Sequence, residues 1–120
     1  LGSGGVTVME EGTDMVWAAL RLMEFFYHES CGKCSPCREG SSWLVQIMRR
    51  IVNKRGQMAD LETLTDLCKN IAGRTVCAFG DAEVSPILST LKHWRHEYVA
   101  MIHAAEAANL IRPEPAGAKH

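Results

Sequence analysis

Three cysteines fall within seven residues, Cys31-x2-Cys34-x2-Cys37, and Cys77 follows after 39 intervening residues. Three thiolates this close can cap three corners of one compact polynuclear cluster. Bacterial ferredoxins use the same C-x2-C-x2-C run together with a further Cys. No second triplet exists here, so the distant Cys77 fits as the fourth ligand of a single four-iron cluster. A structural zinc with four thiolates is the rival reading. Zinc sites usually use two separate C-x2-C pairs, whereas these pairs overlap and share Cys34. Gly32, Lys33 and Ser35 between the thiols are turn residues, which argues against cysteines that merely pack. The fifth, Cys68, lies on an apolar helical stripe and reads as a small buried hydrophobe.

The rest of the composition narrows the setting. At 120 residues the chain fits one domain, and 47% hydrophobic with 22% charged residues is usual for a globular protein. Thirteen Lys plus Arg against fourteen Asp plus Glu leave a net charge of −1. That balance argues against a nucleic-acid partner, which requires a basic face. The apolar stretch from Met15 to Tyr27 is broken by Arg21 and Glu24 and is too short for a bilayer, so no direct membrane contact is expected. The start LGSGGVTVME lacks the basic and apolar regions of a secretory signal, so a disulfide framework is not expected. An opening Leu in place of Met suggests a piece of a longer polypeptide.

Helical periodicity dominates from residue 13 onward. Thr13 is the expected N-cap of a helix to about Ser30, with Met15, Ala18, Ala19, Leu22, Phe25 and Phe26 as its stripe. Ser35 then Pro36 open a second helix, with Leu44, Ile47, Met48, Ile51 and Val52 inward and Gly56 closing it. A third runs from near Asp60 through Leu61, Leu64, Leu67, Cys68 and Ile71 to Gly73. After the loop RTVCAFGD, in which Asp81 could cap a short turn, Ser85-Pro86 opens a fourth. Its stripe is Ile87, Leu91, Trp94, Tyr98, Met101, Ile102 and Ala105. The expectation is an all-α four-helix bundle over residues 13–108, carrying one iron–sulfur cluster. Residues 1–12 read as the end of a preceding domain, with a strand-like patch at Val6, Val8 and Met9 and a turn at Glu10 to Gly12. Residues 109–120 read as a disordered tail.

This layout suits an anionic centre. Cys31 would end one helix and Cys37 would lie in the first turn of the next, where unpaired N–H groups and the helix dipole favour negative charge. Lys33 and Arg38 add positive charge beside it. His28, His93, His96, His103 and His120 form no compact ligand pattern, and a surface or packing role is expected for His28. Trp17, Trp43 and Trp94 read as core. Glu10, Glu11, Glu29, Asp81 and Glu83 read as caps or solvated faces, without the partners that acid–base catalysis requires. No Gly-rich phosphate loop is present, and no catalytic residue is assigned.

The segments ESCGKCSPCREG (29–40) and GRTVCAFGDAEVSP (73–86) closely resemble the C-terminal part of the NADH-binding flavoprotein subunits of respiratory complex I. The resemblance extends over nearly all of residues 2–103. It implies a helical bundle that ligates one [4Fe-4S] cluster through Cys31, Cys34, Cys37 and Cys77. It also implies that the cluster takes electrons singly from FMN, itself reduced by NADH, and passes them along an iron–sulfur chain toward quinone. The FMN and NADH sites would belong to an upstream domain, so this region alone would transfer electrons without being a competent dehydrogenase. The implied partners are that flavin domain, a small [2Fe-2S] subunit and a large iron–sulfur subunit, in a peripheral arm on the cytoplasmic or matrix face of a membrane. Related subunits serve NAD-linked hydrogenases and formate dehydrogenases. Phe79 and Ser85 stand where the family often has Leu and Trp, and HWRHE (93–97) stands for HFRPE; none of these is a proposed ligand.

Overall fold

Asp14 starts the first helix. Its Oδ1 accepts hydrogen bonds from the backbone N–H groups of Val16 and Trp17, two donors that a helix start leaves without internal partners. The expected cap, Thr13, uses its hydroxyl on the Glu10 carbonyl and tightens the turn before the helix. In this computed structural model residues 4–109 are described. Among them are five helices and no strand: α1 (Met15–Glu29), α2 (Ser35–Val52), α3 (Met58–Ile71), α4 (Phe79–His93) and α5 (Arg95–Asn109). Val6, Val8 and Met9 are exposed and irregular. The strand-like patch finds no partner strand among the described residues, and an unpaired strand has little to hold it. Of the expected tail, Asn109 closes α5, and residues 110–120 lie outside the described residues.

The fifth helix arises from two departures at the C-terminal side. α4 begins six residues before Ser85, so Pro86 sits inside a helix already under way. Asp81 anchors that early start: its Oδ1 accepts the Gly73 N–H at 2.7 Å, tying the first turn of α4 to the end of α3. The chain then breaks at Trp94, where φ is −126° and ψ 31°. The break turns α5 so that Tyr98 meets α4 through a 2.8 Å bond between its hydroxyl and Thr90 Oγ1. Glu97 accepts the backbone N–H of Met15 at 3.0 Å, joining the start of α5 to the start of α1.

α1 to α4 pack in a ring, each against the next and α4 against α1, with α5 laid across α1, α2 and α4. The shared core holds Val16, Met23, Leu44, Met48, Ile51, Leu61, Leu64, Ile71, Ile87, Tyr98 and Ile102. On α2 to α5 the expected stripes face inward, with Ile47, Val52, Leu67 and Met101 at the margin. On α1 the stripe is rotated: Val16, Leu20 and Met23 are buried, while Leu22 and Phe25 are exposed. Apolar residues surround α1 on more sides than one face can bury, so periodicity alone does not select the inner one. Trp17 (51% exposed) and Trp43 (52%) also face outward, contrary to a core role, and Trp94 is half-buried. α3 starts at Met58, two residues early, through reciprocal capping between Gln57 and Asp60. Asp60 also pairs with Arg50 of α2. α2 ends at Val52 with Asn53 as its C-cap, and Lys54 takes the left-handed backbone, φ 61°; Gly56 is used for its close approach to Ile51. No described helix is long and apolar enough to cross a membrane.

Gly40 lets α2 press against the end of α3. A Cβ there would lie 2.5 Å from Ile71 Cδ1 and 2.7 Å from its Cγ1, and Ile71 is buried. Gly40→Val is expected to destabilise the chain by about 2–3 kcal/mol through overpacking, read as a lower urea midpoint by circular dichroism.

Candidate metal centre

The triplet folds as a tight connection between two helices. After Glu29 the chain leaves α1, and Gly32 adopts φ 74°, a left-handed conformation that turns it back toward α2. Cys34, and not Ser35, is the N-cap residue of α2; Ser35 and Pro36 are its first two residues and Cys37 its third. Arg38 holds the turn: it donates to the Gly32 carbonyl at 2.9 Å and to Ser35 Oγ at 3.3 Å, and it pairs with Glu39. Its charge, expected beside the thiols, is therefore used within the loop.

The fourth cysteine arrives on the connection from α3 to α4. Thr75 donates to the Cys77 carbonyl at 2.7 Å. Gly80 in the first turn of α4 lies against Thr75 so closely that no Cβ would fit. Together with the Asp81 bond to Gly73, these contacts lay the loop beside the triplet. All four cysteines, Cys31, Cys34, Cys37 and Cys77, line one cavity of about 330 Å³. Glu29, Lys33, Thr75, Val76, Phe79 and Gly80 complete a largely apolar wall.

The donor set fits a thiolate-ligated anionic group. Residues from the first turns of both α2 and α4 line the cavity, and neither helix has a side-chain cap. Their backbone N–H groups are thus available to sulfur acceptors, and both dipoles favour negative charge at that end. Among the described residues no three His, Cys, Asp or Glu side chains converge closely enough to hold a single metal ion. A tetrahedral zinc would need its thiolates about 3.8 Å apart, given Zn–S bonds near 2.3 Å; here the thiols stand around a volume.

The thiols differ in burial. Cys31 and Cys77 are exposed, Cys34 is intermediate and Cys37 is buried. Cys37 Sγ lies 3.2 Å from Ser30 Oγ, 3.9 Å from Ser41 Oγ and 3.7 Å from Glu83 Oε2. Burial pushes the Cys37 thiol up, and the Glu83 carboxylate adds to this against the Ser30 hydrogen bond. Glu83 is fully buried, contrary to the solvated face expected for it. Its Oε2 accepts from Ser41 at 2.7 Å, and its Oε1 has no partner. Burial raises its pKa above the ordinary carboxylate value. Glu29 is exposed at the rim of the cavity, and His28 is exposed and meets Glu29.

Sequence reasoning missed Ser30 and Glu83. Had the α4 stripe of Ile87 and Leu91 been run upstream, position 83 would have fallen on it. Cys68 packs fully buried among core residues, as expected, and burial pushes its thiol up to about 12.

Fold and cavity together define a helical domain with a four-cysteine pocket at the meeting of two helix N-termini. The NADH-ubiquinone oxidoreductase-F iron-sulfur binding region matches residues 17–101, and the chain belongs to that family. The F 2 subunit of the NADH-quinone oxidoreductase of Rhizobium meliloti is 53% identical over 85% of this chain and 24% of its own length. The F subunit of the Streptomyces coelicolor enzyme is 51% identical over 82% of this chain and 22% of its own length. The chain thus spans about a quarter of these relatives. Among solved structures, the NAD+-reducing [NiFe]-hydrogenase in its air-oxidized state matches with TM-score 0.75 and 26% identity, over 86% of this chain and 20% of that one. Its H2-reduced state gives 0.76 at 24% identity, over 90% and 21%, a likeness of fold.

In the metal-free chain at pH 8, Cys31 and Cys77 are expected to react with iodoacetamide while Cys68 does not. A pKa near 12 instead of 9 lowers its thiolate fraction by about three orders of magnitude; peptide mass mapping before and after denaturation checks this. The raised pKa also predicts a pH dependence. The buried neutral thiol contributes fully below pH 9, and its contribution is lost as pH rises toward 12, because the unfolded chain ionises first. Urea midpoints between pH 8 and 11 should fall by the equivalent of about 2–3 kcal/mol, and less in Cys68→Ala.

Proposed function

We propose that this chain binds one [4Fe-4S] cluster through Cys31, Cys34, Cys37 and Cys77 and serves as a one-electron carrier in an NADH:quinone oxidoreductase. The observation that carries this reading is the convergence of four thiols, 46 positions apart at their extremes, on one cavity faced by two uncapped helix N-termini. The cluster, when bound, supplies reversible storage of a single electron. The chain's residues do the rest. The four thiolates hold the group, the first turns of α2 and α4 offer N–H donors to its sulfurs, and Lys33 offsets part of its charge. Phe79, packed edge-on against Phe26 at 5.5 Å between ring centres, helps keep water from one wall.

The larger assignment follows from the family. Relatives named as F subunits of NADH-quinone oxidoreductases, at 43–53% identity, support placing the chain in a protein of that kind. In that setting electrons come from FMN reduced by NADH, both held by an upstream domain, and leave along an iron–sulfur chain toward quinone. Residues 1–12 are then the junction with the flavin domain. The other partners are a small [2Fe-2S] subunit and a large iron–sulfur subunit in the peripheral arm of a membrane complex. The hydrogenase structures support the same fold for the module in another NAD-linked enzyme.

Anaerobic purification is expected to yield a brown protein with about four irons and four acid-labile sulfides per chain and an EPR signal on reduction. A colourless protein holding one zinc would replace this reading with a structural one. Cys34→Ser should lose most of the iron and loosen the bundle, because ligation and folding are coupled. Cys68→Ala should keep its iron and lose about 1 kcal/mol of stability. Equal iron loss in both variants would refute the ligand assignment.

A further inference from the structure

Cys37, the most buried of the four thiols, is flanked by two serines, and their hydroxyl protons have different destinations. Ser41 has two oxygen acceptors within reach of its proton, the Cys37 backbone carbonyl one turn earlier in α2 and Glu83 Oε2 at 2.7 Å. Its distance to Cys37 Sγ, 3.9 Å, is the longest of its contacts. One hydroxyl has one proton, and a carbonyl and a carboxyl oxygen are both stronger acceptors than sulfur. Ser30 is differently placed. Its Oγ already accepts the Gly32 N–H at 3.3 Å, and Cys37 Sγ, 3.2 Å away, is the acceptor within reach of its proton. A ligand thiolate has no proton to give, so this bond has one direction, from Ser30 to sulfur.

From this asymmetry we infer that Ser30 is a positioning residue that sets the reduction potential of the centre through its hydrogen bond to Cys37 Sγ, and that Ser41 is not. The inference rests on the cluster reading above. Uptake of one electron makes or breaks no covalent bond, but it increases the negative charge shared with the ligand sulfurs. A hydroxyl aimed at such a sulfur therefore binds the reduced state more strongly than the oxidised state and raises the potential. Ser30 suits this task because its backbone is fixed independently of its side chain: its N–H closes α1 on the Phe26 carbonyl at 3.0 Å. Removing the hydroxyl leaves that helix end in place.

The test is a mediated redox titration of the full chain, loaded anaerobically with iron and sulfide and followed by EPR, in wild type, Ser30→Ala, Ser30→Thr and Ser41→Ala. Iron and sulfide contents are measured on each. Ser30→Ala is expected to keep its iron and show a severalfold lower ratio of reduced to oxidised centre at a fixed ambient potential. Ser30→Thr, which keeps a hydroxyl, restores the ratio, and Ser41→Ala leaves it unchanged. A Ser30→Ala protein that titrates like wild type overturns the inference, as does a Ser41→Ala shift of equal size. Loss of iron from Ser30→Ala overturns it too, since the hydroxyl would then be needed to hold the centre. A wild type that takes up no iron and sulfide fails at the earlier reading, and this inference falls with it.

Discussion

The close approach of Gly40 to Ile71 decides where the four cysteines of the candidate metal centre fall. Gly40 is three residues beyond Cys37, and Ile71 is the last residue of α3, six before Cys77. Pressing these two positions together brings the loop that carries the fourth thiol alongside the turn that carries the other three. A side chain at position 40 would move α3 outward and the loop with it. Gly80 repeats the device at the other wall, where Thr75 occupies the space a Cβ would need. The steric fit of two glycines thus converts a long separation in sequence into one cavity.

Charge shapes the same cavity. In the proposed cluster site four thiolates would be a concentrated negative load, and Glu83 lies buried behind Cys37 with one oxygen unpartnered. Burial favours the neutral carboxyl there and raises its pKa against the hydrogen bonds from Ser41 and Cys37. The compensating positive potential comes chiefly from the backbone, at the open ends of α2 and α4, with Lys33 as the cationic side chain on the wall. Arg38 contributes by geometry, since its guanidinium is committed to the Gly32 carbonyl and Ser35.

Much of this is legible in the residues. The cysteine spacing points to one polynuclear site, and the periodic stripes of α2 and α3 match the buried faces because each has polar residues on its other sides. What fails does so for local reasons. α1 is apolar nearly all round, so periodicity puts Leu22 and Phe25 inward when Val16, Leu20 and Met23 fill the core. Pro86 looks like a helix start, and no local signal announces that Asp81 fastens an earlier one to Gly73. The break at Trp94 has no Gly or Pro to mark it; it answers to Tyr98 turning back onto Thr90 of α4 and to Glu97 reaching Met15 at the start of α1. Glu83 reads as solvated because a charged residue usually is, and only the upstream reach of α4 puts it inside.

The outward position of two of the three indoles has an optical consequence. Trp17 and Trp43 already sit half in water in the native fold. Their emission therefore starts near the wavelength of the unfolded chain. Loss of this fold registers weakly in tryptophan fluorescence and strongly in the backbone ellipticity of its helices.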